Sequence, residues 1–306
     1  MPTTLELPLV GAGGEPVDLW RTLNSHGFVD VPPMRVLPEE RALEVTLPLA
    51  PASPRTVRIR DAGSARAIVT VPGPALPAGQ RERLLVTVRH VLRLDADLTG
   101  FYALAASDPD LAWATEGAGR MVRSPTVFED VVKTICTTNC AWSATERMVG
   151  ALVEHLGDPA PGAPEAGPAG RAFPTARAVA AAGEDFFRDV ARAGYRGPYL
   201  IAIARAVAEG ELDLEALGSA SPEQLPDEEL AATLLALPGV GPYAAAHIMM
   251  TLGRYSRLIL DSWTRPTYAK LVGRRSVPDR SILRRFRRYG PYAGLAFWLV
   301  LTRDWV

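Results

Sequence analysis

The spacing of apolar residues changes once along this chain, near residue 78, and that change limits the folds open to it. Before it, Pro and Gly are frequent and apolar residues alternate with polar ones, as in ALEVTLPL at 42–49, TVRIR at 56–60 and AIVTV at 67–71. A period of two puts every second side chain on one face, the pattern of short half-buried strands. The turn-forming residues between them predict an antiparallel sheet. After residue 78, Leu84, Leu85, Val88, Val91 and Leu92 recur at helical spacing over 80–94, and helices dominate from there on. The expected fold is therefore α+β: an N-terminal antiparallel β-sheet subdomain with its following helix over 1–95, then a mostly α-helical body over 96–306. Within the body, one helix is predicted over 125–156 and a second helical run over about 175–253. Between them the stretch GDPAPGAPEAGPAG at 157–170 holds too much Pro and Gly for a helix and reads as a flexible loop. No internal repeat is apparent.

Hydrophobic residues make up 48% and charged residues 22% of the 306, material for an ample core in two or three packed subdomains. No stretch approaches the roughly 20 uncharged apolar residues of a membrane span. Residues 1–20 lack a basic segment followed by an apolar run, so neither a membrane partner nor a secretory signal is expected. The reading is a cytoplasmic chain. Cys136 and Cys140 stand at i, i+4 on one helical face, where small buried residues are expected rather than a disulfide. Two thiols alone do not hold an iron–sulfur cluster. The net charge of −1 conceals an uneven distribution. Residues 253–306 carry twelve Arg and Lys against three acids, a charge of +9, which leaves −10 for the rest. A basic lobe suits a polyanion held on one face, although Arg-rich helices are more often simply solvated.

The strongest local signal is LPGVGPYAAA at 237–246. A helix over about 227–236 runs into Leu237-Pro238, and Gly239 and Gly241, flanking Val240, permit a tight turn. Pro242 suits the first position of a second helix. The free N–H groups at that start, together with the positive helix end, form a site for a phosphate. This is the pattern of a helix–hairpin–helix over 227–253, which grips a nucleic-acid backbone without reading its bases. Pro-Gly-x-Gly also serves as an ordinary turn between core helices. Twenty residues past Gly241 comes Arg257-Leu-Ile-Leu-Asp261-Ser-Trp-Thr-Arg265, an acid directly after an apolar run and before a new helical segment. A lone Asp in that place is by default a helix N-cap.

Hairpin and downstream Asp together resemble the helix–hairpin–helix DNA glycosylase superfamily (HhH-GPD), in which the matching Asp is catalytic. SPTVFEDVVKTICTTN at 124–139 resembles the first helix of the catalytic body in the 8-oxoguanine glycosylase branch. GYRGPY at 194–199 resembles a loop of that branch, and GPYAG at 290–294 its last helix. The N-terminal sheet suits both that branch and the 3-methyladenine (alkylbase) glycosylases. The resemblance implies that Asp261 stabilises the oxocarbenium-like sugar as the base leaves and helps position the attacking water. It implies that Asn139 fills the space of the flipped base, that Tyr195 is an aromatic wedge beside the estranged partner, and that Arg196 contacts that orphaned base. Gly239, Val240, Gly241 and Arg265 are the implied DNA-backbone contacts. A monovalent cation at the hairpin carbonyls is implied as well; no organic cofactor and no metal cluster is expected. Each of Asn139, Tyr195 and Arg196 also has a plain structural reading, as a helix-end hydrogen bonder, a packed ring and a surface charge.

Departures from the family narrow the reading. Where bifunctional relatives carry a lysine that attacks the sugar, this chain has Tyr243, which forms no Schiff base. Where the 8-oxoguanine branch reads the base edge with a glutamine, the matching residue is Phe297. An arginine that reads the opposite cytosine is replaced by Ala144. An aromatic base pocket of Tyr243, Phe297 and Trp142 or Trp263, with His247 one turn past Tyr243, suits electron-poor alkylated purines, whose cationic rings are drawn to aromatic faces. His26, His90 and His155 stand in no motif and read as structural. The expected function is that of a monofunctional, monomeric, nucleoid-associated DNA glycosylase acting on double-stranded DNA that contains a damaged base, most of all an alkylated purine. Two other readings follow from the same residues: a glycosylase of the 8-oxoguanine branch with altered lesion specificity, and a non-catalytic damaged-DNA-binding module. A lyase built on another lysine would have to use Lys133.

Overall fold

The computed structural model describes residues 2–49 and 52–306. Five strands, β1 (Thr3–Pro8), β2 (Met34–Leu37), β3 (Ala42–Leu49), β4 (Ala52–Gly63) and β5 (Arg66–Val71), form an antiparallel sheet in the order β1-β5-β4-β3-β2. The three segments singled out by alternation lie in β3, β4 and β5. Their inward residues, among them Leu43, Val45, Val57, Ile59, Val69 and Val71, bury one face of the sheet. That face packs on Leu19 and Leu23 of α1 (Leu19–Leu23) and on Leu84, Val88 and Val91 of α2 (Ala78–Val91). Burying each Val, Leu or Ile is worth roughly 1.5–3 kcal/mol, and a one-residue slip in register would expose the whole set.

The rest is helical. The helices are α3 (Thr99–Ala105), α4 (Val127–Thr137), α5 (Trp142–Leu156), α6 (Ala176–Ala181), α7 (Gly183–Asp185), α8 (Arg196–Ala208), α9 (Leu214–Ser219), α10 (Asp227–Leu235), α11 (Pro242–Thr251), α12 (Thr264–Leu271), α13 (Asp279–Phe286) and α14 (Ala293–Thr302). They pack around two apolar cores. One gathers α4, α5, α8 and α10; the other gathers α3, α12, α13 and α14. Helix α11 belongs to both: Ala244, Ala245, Ile248 and Met249 face the first core, Ala246 and Met250 the second. Its run of alanines lets neighbours approach on every side, so Ala244 to Thr251 are all buried.

The single helix predicted over 125–156 is in fact two. Thr126 caps α4, its hydroxyl accepting from the Glu129 N–H at 3.2 Å. The chain then leaves the helix at Thr138, and Asn139 takes a left-handed conformation (φ 47°) before α5 begins. Asn tolerates that region better than other residues with a side chain. Hydrophobic spacing carries across the break, which is why sequence periodicity did not reveal it. The loop at 157–170 holds no helix or strand. It closes on itself through the Ala160 N–H to the Gly170 carbonyl (2.8 Å) and is tied to α5 by the Gly167 N–H on Glu154 (2.8 Å).

Candidate active site

A cavity of about 1010 Å³ opens between the two helical cores. Its wall is built from the end of α4, the turn at Thr138–Cys140, the start of α5, the hairpin before α11, the 259–265 segment, Trp298 of α14, Trp305, and residues 26–28. One carboxylate, Asp261, and one cation, Arg265, line it among the described residues. Arg265 is held in a two-pronged ion pair with Asp279 (2.9 and 3.0 Å).

Asp261 is a helix cap and also lines the cavity. One oxygen, Oδ1, accepts the backbone N–H groups of Trp263 (2.8 Å) and Thr264 (2.6 Å), and its own N–H donates to the Thr264 hydroxyl (2.9 Å). This reciprocal cap starts α12 and fixes the carboxylate. The other oxygen, Oδ2, has no hydrogen-bond partner among the described residues. The segment leading to it is pinned by α14: the Gly294 N–H donates to the Tyr255 carbonyl (2.6 Å), and a Cβ on Gly294 would lie 2.2 Å from the Arg257 carbonyl. Only glycine permits that approach.

Tyr243 and His247 stand one turn apart on α11 and point at α4, ring centroids 6.1 Å apart. Each meets a threonine whose proton is already committed. The Thr137 hydroxyl donates to the Thr134 carbonyl at 2.6 Å, so at 3.1 Å it accepts from the Tyr243 hydroxyl. The Thr134 hydroxyl donates to the Asp130 carbonyl at 2.7 Å and lies 3.5 Å from Nδ1 of His247. Burial keeps the His247 imidazole neutral, its pKa pushed down to about 3, with His26 nearby adding to the effect. Burial also raises the Tyr243 phenol above its usual range and so keeps its proton in place.

The turn after α4 presents Asn139 at the surface, with its Nδ2 donating to the Tyr195 hydroxyl at 3.4 Å. Tyr195 is 52% exposed at the cavity mouth. Arg196 departs from expectation. It is buried, its guanidinium lies over the Tyr195 ring (4.5 Å), and its N–H groups go to the Thr138 carbonyl, the Thr138 hydroxyl (3.3 Å) and the Ala193 carbonyl (3.4 Å). Three of its five N–H groups are engaged in this way, two of them on Thr138 beside Asn139. Val240 also turns inward, into the first core, so of its groups only the backbone faces the hairpin surface.

Phe297, expected in the pocket, is not there. It is fully buried against Phe286 (centroids 5.1 Å) and Tyr268 (5.9 Å) in the second core. Neighbours on a helix point about 100° apart, so the next residue, Trp298, takes the cavity side instead. Trp298 forms a cluster with Trp263 (5.7 Å) and Trp305 (5.9 Å), and all three line the cavity beside Asp261. Across from them, Phe28 stacks on Trp142 (6.4 Å) and tilts against His247 (4.5 Å). Sequence reasoning missed Trp298, Trp305 and Phe28, while His26, read as structural, ties Val122 to Phe28 at the cavity edge. Trp298 stands one register step from Phe297; Trp305 and Phe28 come from distant segments with no local motif.

Hairpin geometry matches the sequence pattern. Gly239 adopts a left-handed φ of 81°, Gly241 precedes α11 with Pro242 at its start, and no side chain caps that helix. The carbonyls of Gly239 and Val240 accept no hydrogen bond among the described residues. As hard oxygen donors they fit the monovalent cation that the resemblance implies. Much of the basic C-terminal segment is neutralised internally: Arg254 by Asp227, Arg257 by Glu228, Arg285 by Asp110 and Arg288 by Asp108. Arg274, Arg275, Arg280, Arg284 and Arg287 are exposed and form no ion pair among the described residues.

His26 holds one edge of the cavity in place. Nε2 donates to the Val122 carbonyl at 2.6 Å and Nδ1 accepts from the Phe28 N–H at 3.3 Å, an arrangement only the neutral ring can make. Burial lowers its pKa from 6.5 to about 4. Between those values the unfolded chain binds the extra proton, so the stability contributed by neutral His26 is complete above pH 6.5 and is lost as pH falls towards 4. Urea unfolding should show the gap between wild type and His26→Asn shrinking by about 2–3 kcal/mol from pH 7 to pH 4.5. The opposite contribution of Asp130, raised by burial to about 6, is common to both proteins and cancels. A gap constant with pH would mean that the folded ring already accepts the proton.

No protein-family model matches the chain, and no curated protein matches it in sequence. Among solved structures it is similar to 3-methyladenine DNA glycosylase from Archaeoglobus fulgidus (19% identity over 98% of this chain and 99% of that one, TM-score 0.74). It is similar also to MBOgg1 in complex with a low affinity DNA ligand (19% identity, 99% and 96%, TM-score 0.73). A third is the apo-form of Clostridium acetobutylicum 8-oxoguanine glycosylase/lyase (20% identity, 97% and 95%, TM-score 0.72). The likeness runs the length of each chain and shows the shared fold, sheet subdomain and helical body together.

Proposed function

We propose that this chain is a DNA N-glycosylase that extrudes a damaged base from duplex DNA and hydrolyses its N-glycosidic bond, with alkylated purines as the substrate class. The observation that carries the proposal is Asp261: a carboxylate fixed through one oxygen, with the other free, in an aromatic cavity beside a hairpin suited to a phosphate backbone. An extruded base enters between the Phe28–Trp142 stack and the tryptophan cluster. As the C1′–N bond breaks, its electron pair leaves with the base and positive charge grows on the sugar, where the Asp261 carboxylate stabilises it. A water oxygen bonds to C1′, and its proton goes to the carboxylate and then to solvent or the departing base. The hairpin N–H groups hold the phosphates, and a monovalent cation at the Gly239 and Val240 carbonyls would add positive charge there. Asn139 and Tyr195, at the cavity mouth, occupy the gap left in the duplex.

Two features favour hydrolysis of alkylated bases over lyase chemistry on oxidised ones. The chain has two lysines. Lys133 is fully buried in an ion pair with Glu129 (2.6 Å), Lys270 is exposed on α12, and neither lines the cavity. No amine is therefore placed to attack the sugar. The walls are aromatic, which suits a cationic methylated purine, a base that already leaves readily. Incubation with methylated and with 8-oxoguanine-containing duplexes, read by mass spectrometry, should release methylated purines and no 8-oxoguanine. Borohydride should trap no covalent adduct on abasic DNA. Release of 8-oxoguanine or a trapped adduct would place the chain with the bifunctional oxidised-base enzymes. Tight DNA binding with no base released would make it a binding module.

A further inference from the structure

We propose that the cavity selects bases by a hydrogen-bond-donating edge, reading an exocyclic amine with two groups that can only accept, Nε2 of His247 and the hydroxyl oxygen of Tyr243. The inference rests on the glycosylase reading and names the substrate edge within it. A neutral imidazole carries one proton. The Thr134 hydroxyl spends its own proton on the Asp130 carbonyl, which is an acceptor only and lies at 2.7 Å against 3.5 Å for His247. Toward His247 it therefore offers lone pairs, and the imidazole proton sits on Nδ1. That leaves Nε2 a bare acceptor on a side chain that lines the cavity, with no hydrogen-bond partner among the described residues. Tyr243 repeats the arrangement one turn earlier. Thr137 donates to the Thr134 carbonyl, so the phenol must donate to Thr137, and its oxygen retains only lone pairs.

Two threonines three residues apart on α4 thus set the polarity of two side chains four residues apart on α11. Both pairs lie on the facing sides of packed helices, so the setting is built into the scaffold rather than into a loop. A base that presents an amine there forms a hydrogen bond; one that presents a carbonyl sets lone pair against lone pair, and the buried acceptors go unpaired. The aromatic walls attract any alkylated cation alike, so discrimination among them falls to these two acceptors.

The test compares two duplexes, one with N7-methylguanine and one with N7-methylhypoxanthine. Both bases are cationic and differ only in the exocyclic amine. After each rate is divided by the uncatalysed rate for the same base, the amine-bearing substrate should be preferred by ~10-fold or more in kcat/KM, the scale of one unmatched buried hydrogen bond. Thr134→Val, which removes the hydroxyl at nearly constant shape, and His247→Phe, which keeps the ring and removes the acceptor, should each pull the ratio toward one. The Thr134 variant should do so without loss of thermal stability beyond a few degrees. A wild-type ratio near one, or an unchanged ratio in both variants, overturns the inference and leaves the glycosylase reading intact. Release of neither base by the wild type overturns both.

Discussion

Asp261→Asn should lower single-turnover release of methylated purines by on the order of 10²–10³-fold or more, while the protein folds normally and still binds DNA. The substitution is informative because Asp261 serves two purposes. Its Oδ1 caps α12 through the Trp263 and Thr264 N–H groups, and Asn caps nearly as well as Asp. The variant keeps the local structure and removes only the negative charge. Binding to a duplex carrying an abasic-site analogue should hold or tighten, since a carboxylate close to the phosphates is lost. Asp261→Ala removes cap and charge together and should cost about 1 kcal/mol of stability in addition. Full activity in the Asn variant would assign the chemistry elsewhere in the cavity.

Phe297→Ala should destabilise the fold by about 3–5 kcal/mol and yet leave the choice of base unaltered. Phe297 is packed between Phe286 and Tyr268 with no surface on the cavity, so its removal leaves a void in the second core. Trp298→Ala, one residue on, strips a ring from the cavity wall and should change relative release of different methylated bases. Thermal melts and product ratios, measured on both variants at a temperature where each is folded, separate the two roles. A shift in product ratio with Phe297→Ala would return that residue to the pocket.

These two positions show what periodicity can and cannot resolve. That 293–302 is an apolar helix is plain from composition. Which of its faces meets the cavity is not, because α14 is apolar all round and a helix without a polar stripe carries no phase. Sequence motifs did lead to Tyr243, His247, Trp142, Asn139 and Asp261, and all of them border the same cavity. Arg196 fell in the right segment, but its guanidinium turned inward once the Thr138 and Ala193 carbonyls were within its reach. The break at Asn139 left no trace in hydrophobic spacing, although it is the break that brings Asn139 to the cavity mouth.

Local chemistry was sufficient for several of the elements, though not for the break between α4 and α5. Alternation made strands of 42–49, 56–60 and 67–71, paired glycines before a proline made the hairpin, and an acid ahead of a helix made a cap. Those outcomes depend on neighbours within a few residues, where backbone sterics and capping hydrogen bonds act. The polarity of the cavity was decided at longer range. His26 and Phe28 from the N-terminal subdomain, Trp305 from the chain's other end, and the threonines of α4 meet only because α11 is buried between two cores. The threonines commit their protons within α4, and which ring nitrogen of His247 accepts follows from the packing of α11 against them.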